Sequence, residues 1–267
     1  MQPLLKVENL TKRYYRHGLA SRRDSVPALD SISFSLLPGT TLALVGQSGS
    51  GKSTLALCLA CLERPTSGSI WLEGRDLAAV SDKDLRAIRP QLQLIFQDPA
   101  ASLNPQWTVE QIVREPLVVL RRGSRRDRND LAIAALQQVG LSPELAGRKP
   151  GELSGGQRQR VAIARALVLT PRLLILDEVL SALDCSVQAQ IVNLLVELQH
   201  SLGLTYLFIT HDFPMAAHMS DEIAVLDRGR IVERATVEEI VRQPQHQSTR
   251  ILLTATPRFT AAVAVSR

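Results

Sequence analysis

Gly46-Gln47-Ser48-Gly49-Ser50-Gly51-Lys52-Ser53 sets glycines, a lysine and a hydroxyl residue in the spacing G-x-x-x-x-G-K-S/T. Glycines let a backbone curl until successive N–H groups point at one anion. A helix starting just after them adds the partial positive charge of its N-terminus. Lys52 then brings a mobile ammonium to the β- and γ-phosphates of a nucleotide, and Ser53 offers a hydroxyl to Mg²⁺. Farther on, Asp177 and Glu178 end the apolar run Leu173-Leu174-Ile175-Leu176. Asp177 fits the acidic residue that orders Mg²⁺ in phosphate-loop enzymes, and Glu178 is placed to orient and deprotonate a water. His211 and Asp212 follow the apolar segment from Tyr206 to Thr210. In Leu153-Ser154-Gly155-Gly156-Gln157, Ser154 and Gln157 fit a capping box at a helix start. A capping box explains the serine and the glutamine but not the paired glycines. Two glycines there expose bare N–H groups, which again suit a phosphate.

These side chains act together only if strands and helices bring them to one edge. Leu42-Ala43-Leu44-Val45 reads as a buried strand before the glycine-rich loop, and Ser53 to Leu62 predicts the helix after it. Leu92 to Phe96, Leu173 to Glu178 and Tyr206 to Thr210 read as further core strands. Carboxylates at a strand end mark the ligand edge of a parallel sheet. Leu4 to Val7, Ser31 to Leu37 and Ser69 to Glu73 predict an antiparallel subdomain beside the phosphate loop. Residues 81–160 predict a helical insertion, with helices over Val109–Leu120, Leu131–Val139 and Gln157–Leu169. Arg121 to Arg128 reads as a basic, solvated link between the first two. Val187 to Leu202 is an amphipathic helix, and a hairpin closes across Asp227-Arg228-Gly229. Val237 to Arg242 is a short helix, and a helical patch at Arg250–Leu253 lies in a tail over 244–267 that has little pattern. Tyr14, in an aromatic-poor chain, either stacks on adenine or packs on the small subdomain.

The chain has 267 residues, 45% of them apolar and only 4% aromatic. That suits one large α/β domain, or one with a small appendage, and a core of Leu, Ile, Val and Ala. A net charge of +5 is compatible with nucleic acid or an anionic membrane surface as partner, but much of it is local. Three cysteines suggest a reducing compartment. Cys58 and Cys61 fall on the helix after the phosphate loop and read as buried thiols, not as a zinc or redox site. No apolar run approaches a membrane span, and the N-terminus does not resemble a signal peptide.

The phosphate loop, Gln97, LSGGQ at Leu153–Gln157, ILDE at Ile175–Glu178, SALD at Ser181–Asp184 and His211 together resemble the nucleotide-binding domain of ABC transporters. The resemblance covers about residues 4–243, and LSGGQ is highly specific to that family. It implies an α/β fold of ABC type: a phosphate-loop NTPase core with a mostly parallel sheet, an antiparallel β subdomain and a helical subdomain. The nucleotide-binding domain would span 1–243, with 244–267 as a C-terminal tail. It also implies residue roles. Tyr14 stacks on adenine. Gly46, Gln47, Ser48, Gly49, Ser50, Gly51, Lys52, Ser53 and Thr54 cradle the phosphates and Mg²⁺. Gln97 contacts Mg²⁺ and couples to the membrane subunit. Ser154, Gly155, Gly156 and Gln157 close on the γ-phosphate of ATP held by a partner subunit. Asp177 orders Mg²⁺, Glu178 is the general base, Asp184 lies at the dimer interface, and His211 holds the γ-phosphate and the attacking water. The expected activity is ATP hydrolysis with Mg²⁺ by a head-to-tail dimer, driving alternating access in two permease subunits.

More narrowly, FQDP at Phe96–Pro99, SLNP at Ser102–Pro105, REPL at Arg114–Leu117 and PQHQSTRILLTATP near the end resemble the dipeptide, oligopeptide and nickel importer subgroup. That implies a periplasmic or extracellular substrate-binding protein, a homo- or heterodimer of ATPase subunits, and a peripheral place on the cytoplasmic face of the inner membrane. Two departures stand out. Val179 replaces the usual Pro after the catalytic Glu, and His246-Gln247-Ser248 replaces H-P-Y. The chain also ends soon after Pro257, without a Cys-containing extension, which leaves nickel or metal-chelate uptake open beside peptide uptake. A soluble ABC ATPase on nucleic acid or ribosomes is disfavoured, since neither a second such domain nor a long coiled coil is present. An exporter is disfavoured by the subgroup motifs.

Overall fold

The computed structural model describes residues 2–14, 26–77, 79–96, 102–181 and 183–254. Two compact units emerge, one formed by Met1–Ala87 with Thr205–Arg267 and the other by Ile88–Leu204.

In the first unit the chain runs through β1 (Leu5–Arg13), β2 (Pro27–Leu36), β3 (Thr41–Val45), α1 (Lys52–Leu59), β4 (Ser67–Leu72) and β5 (Arg75–Asp76), then leaves through α2 (Asp82–Ile88). β1, β2, β4 and β5 form an antiparallel sheet in the order β2-β1-β4-β5. Leu5 and Val7 face the core and Lys6 faces solvent, the alternation expected of a half-covered sheet. Asn9 and Ser31 have φ of 49° and 55°, near the register shifts between β1 and β2. β1 and β2 continue through these irregularities and run farther than the sequence predicts.

The chain returns to the first unit through β8 (Thr205–Thr210), α7 (Phe213–Met219), β9 (Glu222–Asp227), β10 (Arg230–Thr236), α8 (Val237–Arg242) and α9 (Gln247–Thr254). β3 runs parallel to both β8 and β9, with Leu42 opposite Leu207 on one side and Glu222 on the other. Every residue of β3 and β8 is buried, as in parallel strands covered on both faces. α7 packs on both strands. α7 is absent from the sequence expectations, and α9 is longer than the patch expected at Arg250–Leu253.

The second unit holds β6 (Leu92–Ile95), α3 (Val109–Val119), α4 (Arg125–Gln138), α5 (Gly155–Leu167), β7 (Leu173–Asp177) and α6 (Cys185–Leu202). β6 and β7 pair in parallel, Leu92 opposite Leu173 and Ile95 opposite Leu176. α3, α4 and α5 pack on one another. Thr108, Ser124 and Ser154 open these helices with capping boxes closed by Gln111, Asp127 and Gln157. Each box satisfies two N–H groups that a helix start leaves bare.

Two expectations need correction. α4 begins at Arg125, so the basic segment is a link only as far as Ser124. Ser124 and Asp127 cap that start despite the surrounding charge. α1 ends at Leu59, so Cys61 lies past the helix with φ 54°, half-buried, while Cys58 is buried. Among the described residues no helix is long and apolar enough to cross a membrane.

Candidate functional site

In the first unit the glycine-rich loop joins β3 to α1. Its Gly51 is the N-cap of α1 at φ 110° and makes no side-chain cap bond. A helix start without a side-chain cap, beside a glycine-rich loop, is the kind of place an anion fits. Lys52 is buried to 6% exposure, and its Nζ donates to the carbonyls of Gly46 at 2.8 Å and Gln47 at 3.1 Å. The lysine thus folds over the loop that it follows. Gln47, Ser48, Gly49 and Ser53 are exposed, and Thr54 is half-buried. The hydroxyl of Ser50 is buried and has no hydrogen-bond partner among the described residues. A phosphate oxygen is the kind of acceptor such a hydroxyl fits.

Neighbouring strands fix the loop from below. A Cβ on Gly46 would lie 2.3 Å from the Leu226 carbonyl, and one on Gly51 would lie 2.5 Å from the Ala28 carbonyl. The N–H of Gly229, in the β9–β10 turn, donates to the Ser50 carbonyl at 2.9 Å. The same turn is tied to β2, where the Asp30 N–H donates to the Gly229 carbonyl and Arg230 donates to the Asp30 carboxylate at 2.5–2.8 Å. Ala28, Leu226, Gly229, Asp30 and Arg230 were invisible to motif reading. The one legible trace is the glycine of Asp227-Arg228-Gly229, which a two-residue hairpin turn explains without any loop to hold.

Two more expected residues lie in this unit. His211 is exposed, between Thr210 at the end of β8 and Asp212, whose carboxylate caps α7 through the Met215 N–H at 2.9 Å. Tyr14 is 48% exposed, and the Lys12 ammonium sits 4.9 Å from its ring centroid. Glu63 holds that ammonium at 2.7 Å, so the ring has a fixed cation on one side.

The second unit brings the LSGGQ residues together with Asp184. The Gln157 N–H donates to Ser154 Oγ at 3.2 Å, and the Ser154 N–H donates to Gln157 Oε1 at 2.9 Å. Gln157 thus has a full structural use as a cap. Among the described residues, a Cβ on Gly155 would meet Leu183 alone, at 3.6 Å, whereas one on Gly156 would lie 2.7 Å from Val187 Cγ1. Asp184 opens α6, accepting from the Val187 N–H at 3.0 Å. The signature start therefore packs on the segment that carries Asp184.

Asp177 ends β7 with 8% exposure, and Glu178 is half-buried with φ 49°. Residues held in that region mark sites where surroundings override local preference. Proline at the next position would push its neighbour toward extended backbone, and Val179 imposes no such restriction. A buried carboxylate beside a second one at a strand end supplies hard oxygen donors of the kind Mg²⁺ takes. Gln97 lies outside the described residues.

The same unit carries a groove of about 490 Å³ with Phe96, Pro116, Val119 and Ala162 in its lining. Arg165 pairs with Glu115 at 2.7 Å on its wall. Phe96 and Val119 are 45% and 72% exposed.

The family model described as ABC transporter matches residues 29–181. The chain belongs to the ABC transporter family. It is 45% identical to the dipeptide transport ATP-binding protein of Escherichia coli, over 97% of this chain and 78% of that one. It is 46% identical to an oligopeptide transport ATP-binding protein of Bacillus subtilis, over 92% and 76%. Among solved structures, the ABC cassette MJ0796 in a dimeric post-hydrolysis state with ADP and phosphate matches with a TM-score of 0.77 at 32% identity, over 87% of this chain and 98% of that one. The cbiO1 protein of Clostridium perfringens, part of an ABC transporter complex, matches with a TM-score of 0.80 at 29% identity, over 99% and 100%. The expected ABC-type α/β fold is thereby borne out, and this ABC protein is a nucleotide-binding ATPase.

Proposed function

We propose that this ABC ATPase powers the uptake of di- and oligopeptides. The observation that carries the ATPase part is the glycine loop: Gly51 starts α1 without a side-chain cap, and Lys52 closes over the loop. The peptide part is supported by relatives named for dipeptide and oligopeptide transport over more than nine-tenths of this chain.

In this reading Gly46 to Thr54 cradle the phosphates, with Lys52 on the β- and γ-phosphates. Ser53 and Asp177 supply oxygen ligands for Mg²⁺, whose charge would screen the phosphate oxygens, and Gln97 adds a third. Glu178 is the general base, and His211 orients the attacking water and the γ-phosphate. Tyr14 stacks on adenine. Ser154, Gly155 and Gly156 face the γ-phosphate of ATP on a second ABC ATPase subunit, with Asp184 at that interface. Phosphoryl transfer asks chiefly for positioning and charge stabilisation, which this set provides.

The partners are that second subunit, two transmembrane permease subunits and a periplasmic or extracellular substrate-binding protein, with no nucleic acid. The chain then sits peripherally on the cytoplasmic face of the inner membrane. The apolar groove beside Phe96 and Val119 suits a permease segment that inserts an apolar side chain while polar groups meet the Arg165–Glu115 pair.

Transport tests the assignment. The chain is co-expressed with the permease and binding-protein genes next to its own, and uptake of labelled dipeptide and of nickel ion is followed for wild type and Glu178→Gln. Loss of dipeptide uptake alone in the mutant is the expected result. Loss of nickel uptake instead moves the substrate to metal, and indifference of both overturns the importer assignment.

A further inference from the structure

The turn between α3 and α4 carries Arg121, Arg122, Arg125, Arg126 and Arg128 within eight residues, and the first four are exposed. Of the two acids nearby, Asp127 spends its carboxylate on the cap of α4, accepting from the Ser124 N–H at 2.8 Å. Asp130 is the other. Arg128 is turned back, its Nε donating to the Arg122 carbonyl at 2.8 Å.

Local structure argues against arginine at three of these places. Arg121 follows the C-cap of α3 with φ 52°, where its N–H donates to the Val118 carbonyl and that of Arg122 to the Leu117 carbonyl. That is the helix-ending motif in which glycine or asparagine is favoured. Arg125 and Arg126 occupy the first turn of α4, where the helix dipole repels cations. Neither helix gains from these charges. Beside them, Val118 and Val119 are 44% and 72% exposed. Exposed aliphatic side chains next to clustered arginines make a surface that matches an anionic bilayer, whose headgroups attract the charge and whose interface accepts the apolar edge.

We propose that the α3–α4 turn is a membrane-contact site for acidic phospholipid headgroups. It would give the chain an affinity for the bilayer that needs no permease. The proposal rests on the peripheral location given above but not on the transport assignment, because lipid contact by the chain alone requires no substrate and no partner.

The test is co-sedimentation of the full chain with vesicles of pure phosphatidylcholine or of phosphatidylcholine with one third phosphatidylglycerol. Wild type should favour the anionic vesicles and lose that preference as salt rises. Replacing Arg121, Arg122, Arg125 and Arg126 by Gln should lower the partition roughly tenfold or more, each basic residue near the surface being a separate attraction. Val118→Ser with Val119→Ser should lower it by a smaller factor, and Arg75→Gln with Arg242→Gln should leave it unchanged. None of these residues belongs to the nucleotide machinery, so retained ATP binding certifies folding. If the fourfold variant fails that check, the pairs 121/122 and 125/126 are tested separately. Equal binding to neutral vesicles, or equal binding by the Arg variants, overturns the proposal. So does binding of the chain to double-stranded DNA with no preference for anionic vesicles, lost in the same Arg variants, which would name nucleic acid as the partner.

Discussion

α1 and α5 both have glycine at their start, Gly51 as the N-cap of α1 and Gly155 as the first residue of α5, yet Gly51 stands at φ 110° against the Ala28 carbonyl, while Gly155 has ordinary backbone and, among the described residues, Leu183 alone near it. The phosphate loop is specified from inside. Backbone atoms of β2, β9 and the β9–β10 turn crowd Gly46 and Gly51 and hold Ser50 in place. The start of α5 is specified by side chains, through the Ser154–Gln157 cap and the contact of Gly156 with Val187. Among the described residues, nothing closer than 3.6 Å meets a Cβ on Gly155. Under the function proposed above, the demand for glycine at this position comes from a nucleotide on a second subunit that closes against it. In that reading the difference separates a site that a monomer can build from one that it can only present.

Gly51→Ala attacks the first kind of specification and should have the largest effect. A methyl group at 2.5 Å from a backbone carbonyl, on a residue held at positive φ, has no flexible neighbour to yield. A loss of about 3 kcal/mol is expected. Urea unfolding and ATP binding would both report it. Normal ATP binding with an unmoved midpoint would mean that Ala28 does not pin the loop.

At α5 the two readouts should come apart. Ser154→Ala removes the cap and should cost about 1 kcal/mol, with Ser154→Thr close to wild type. Gly155→Ala should shift stability by less than about 0.5 kcal/mol and still abolish ATP hydrolysis in the assembled dimer. Retained hydrolysis in Gly155→Ala would remove the partner from the comparison.

The candidate chemistry-bearing residues were nominated by their types and spacing, and the all-buried strands β3, β7 and β8 were legible because apolar runs bounded by turns announce them. The supports of the phosphate loop were not. Ala28 and Leu226 act through carbonyl oxygens that any residue has, and Gly229 acts through an N–H, so no side-chain pattern records their work. The start of α4 was hidden by composition: Ser124 and Asp127 spell a cap, but arginines on both sides read as a solvated link. α7 was missed because seven residues are too few for periodicity, although Asp212 and Pro214 are ordinary helix-start residues. The signature start was read both as a cap and as an anion site, and the structure supplies the cap.

The smallest expected effect belongs to a side-chain tie beneath the phosphate loop, the Arg230–Asp30 pair. The guanidinium of Arg230 holds the Asp30 carboxyl below its ordinary value, against a small opposing effect of burial. A depressed carboxylate contributes stability that is present above its unfolded pKa and fades as pH falls through the folded one. Arg230→Gln should therefore lower the thermal midpoint slightly at neutral pH. Its difference from wild type should close as pH falls through and below the carboxylate range. Both partners face solvent, Arg230 at 68% and Asp30 at 23% side-chain exposure, so screening keeps the effect modest and salt should shrink it further. ATP affinity at neutral pH should change by less than about twofold, because the bond from Gly229 to Ser50 is backbone to backbone and does not pass through the ion pair. A tenfold loss of affinity would mean that the hairpin needs Arg230 to keep that bond, and that the phosphate loop, like the start of α5, depends on a side chain for its shape.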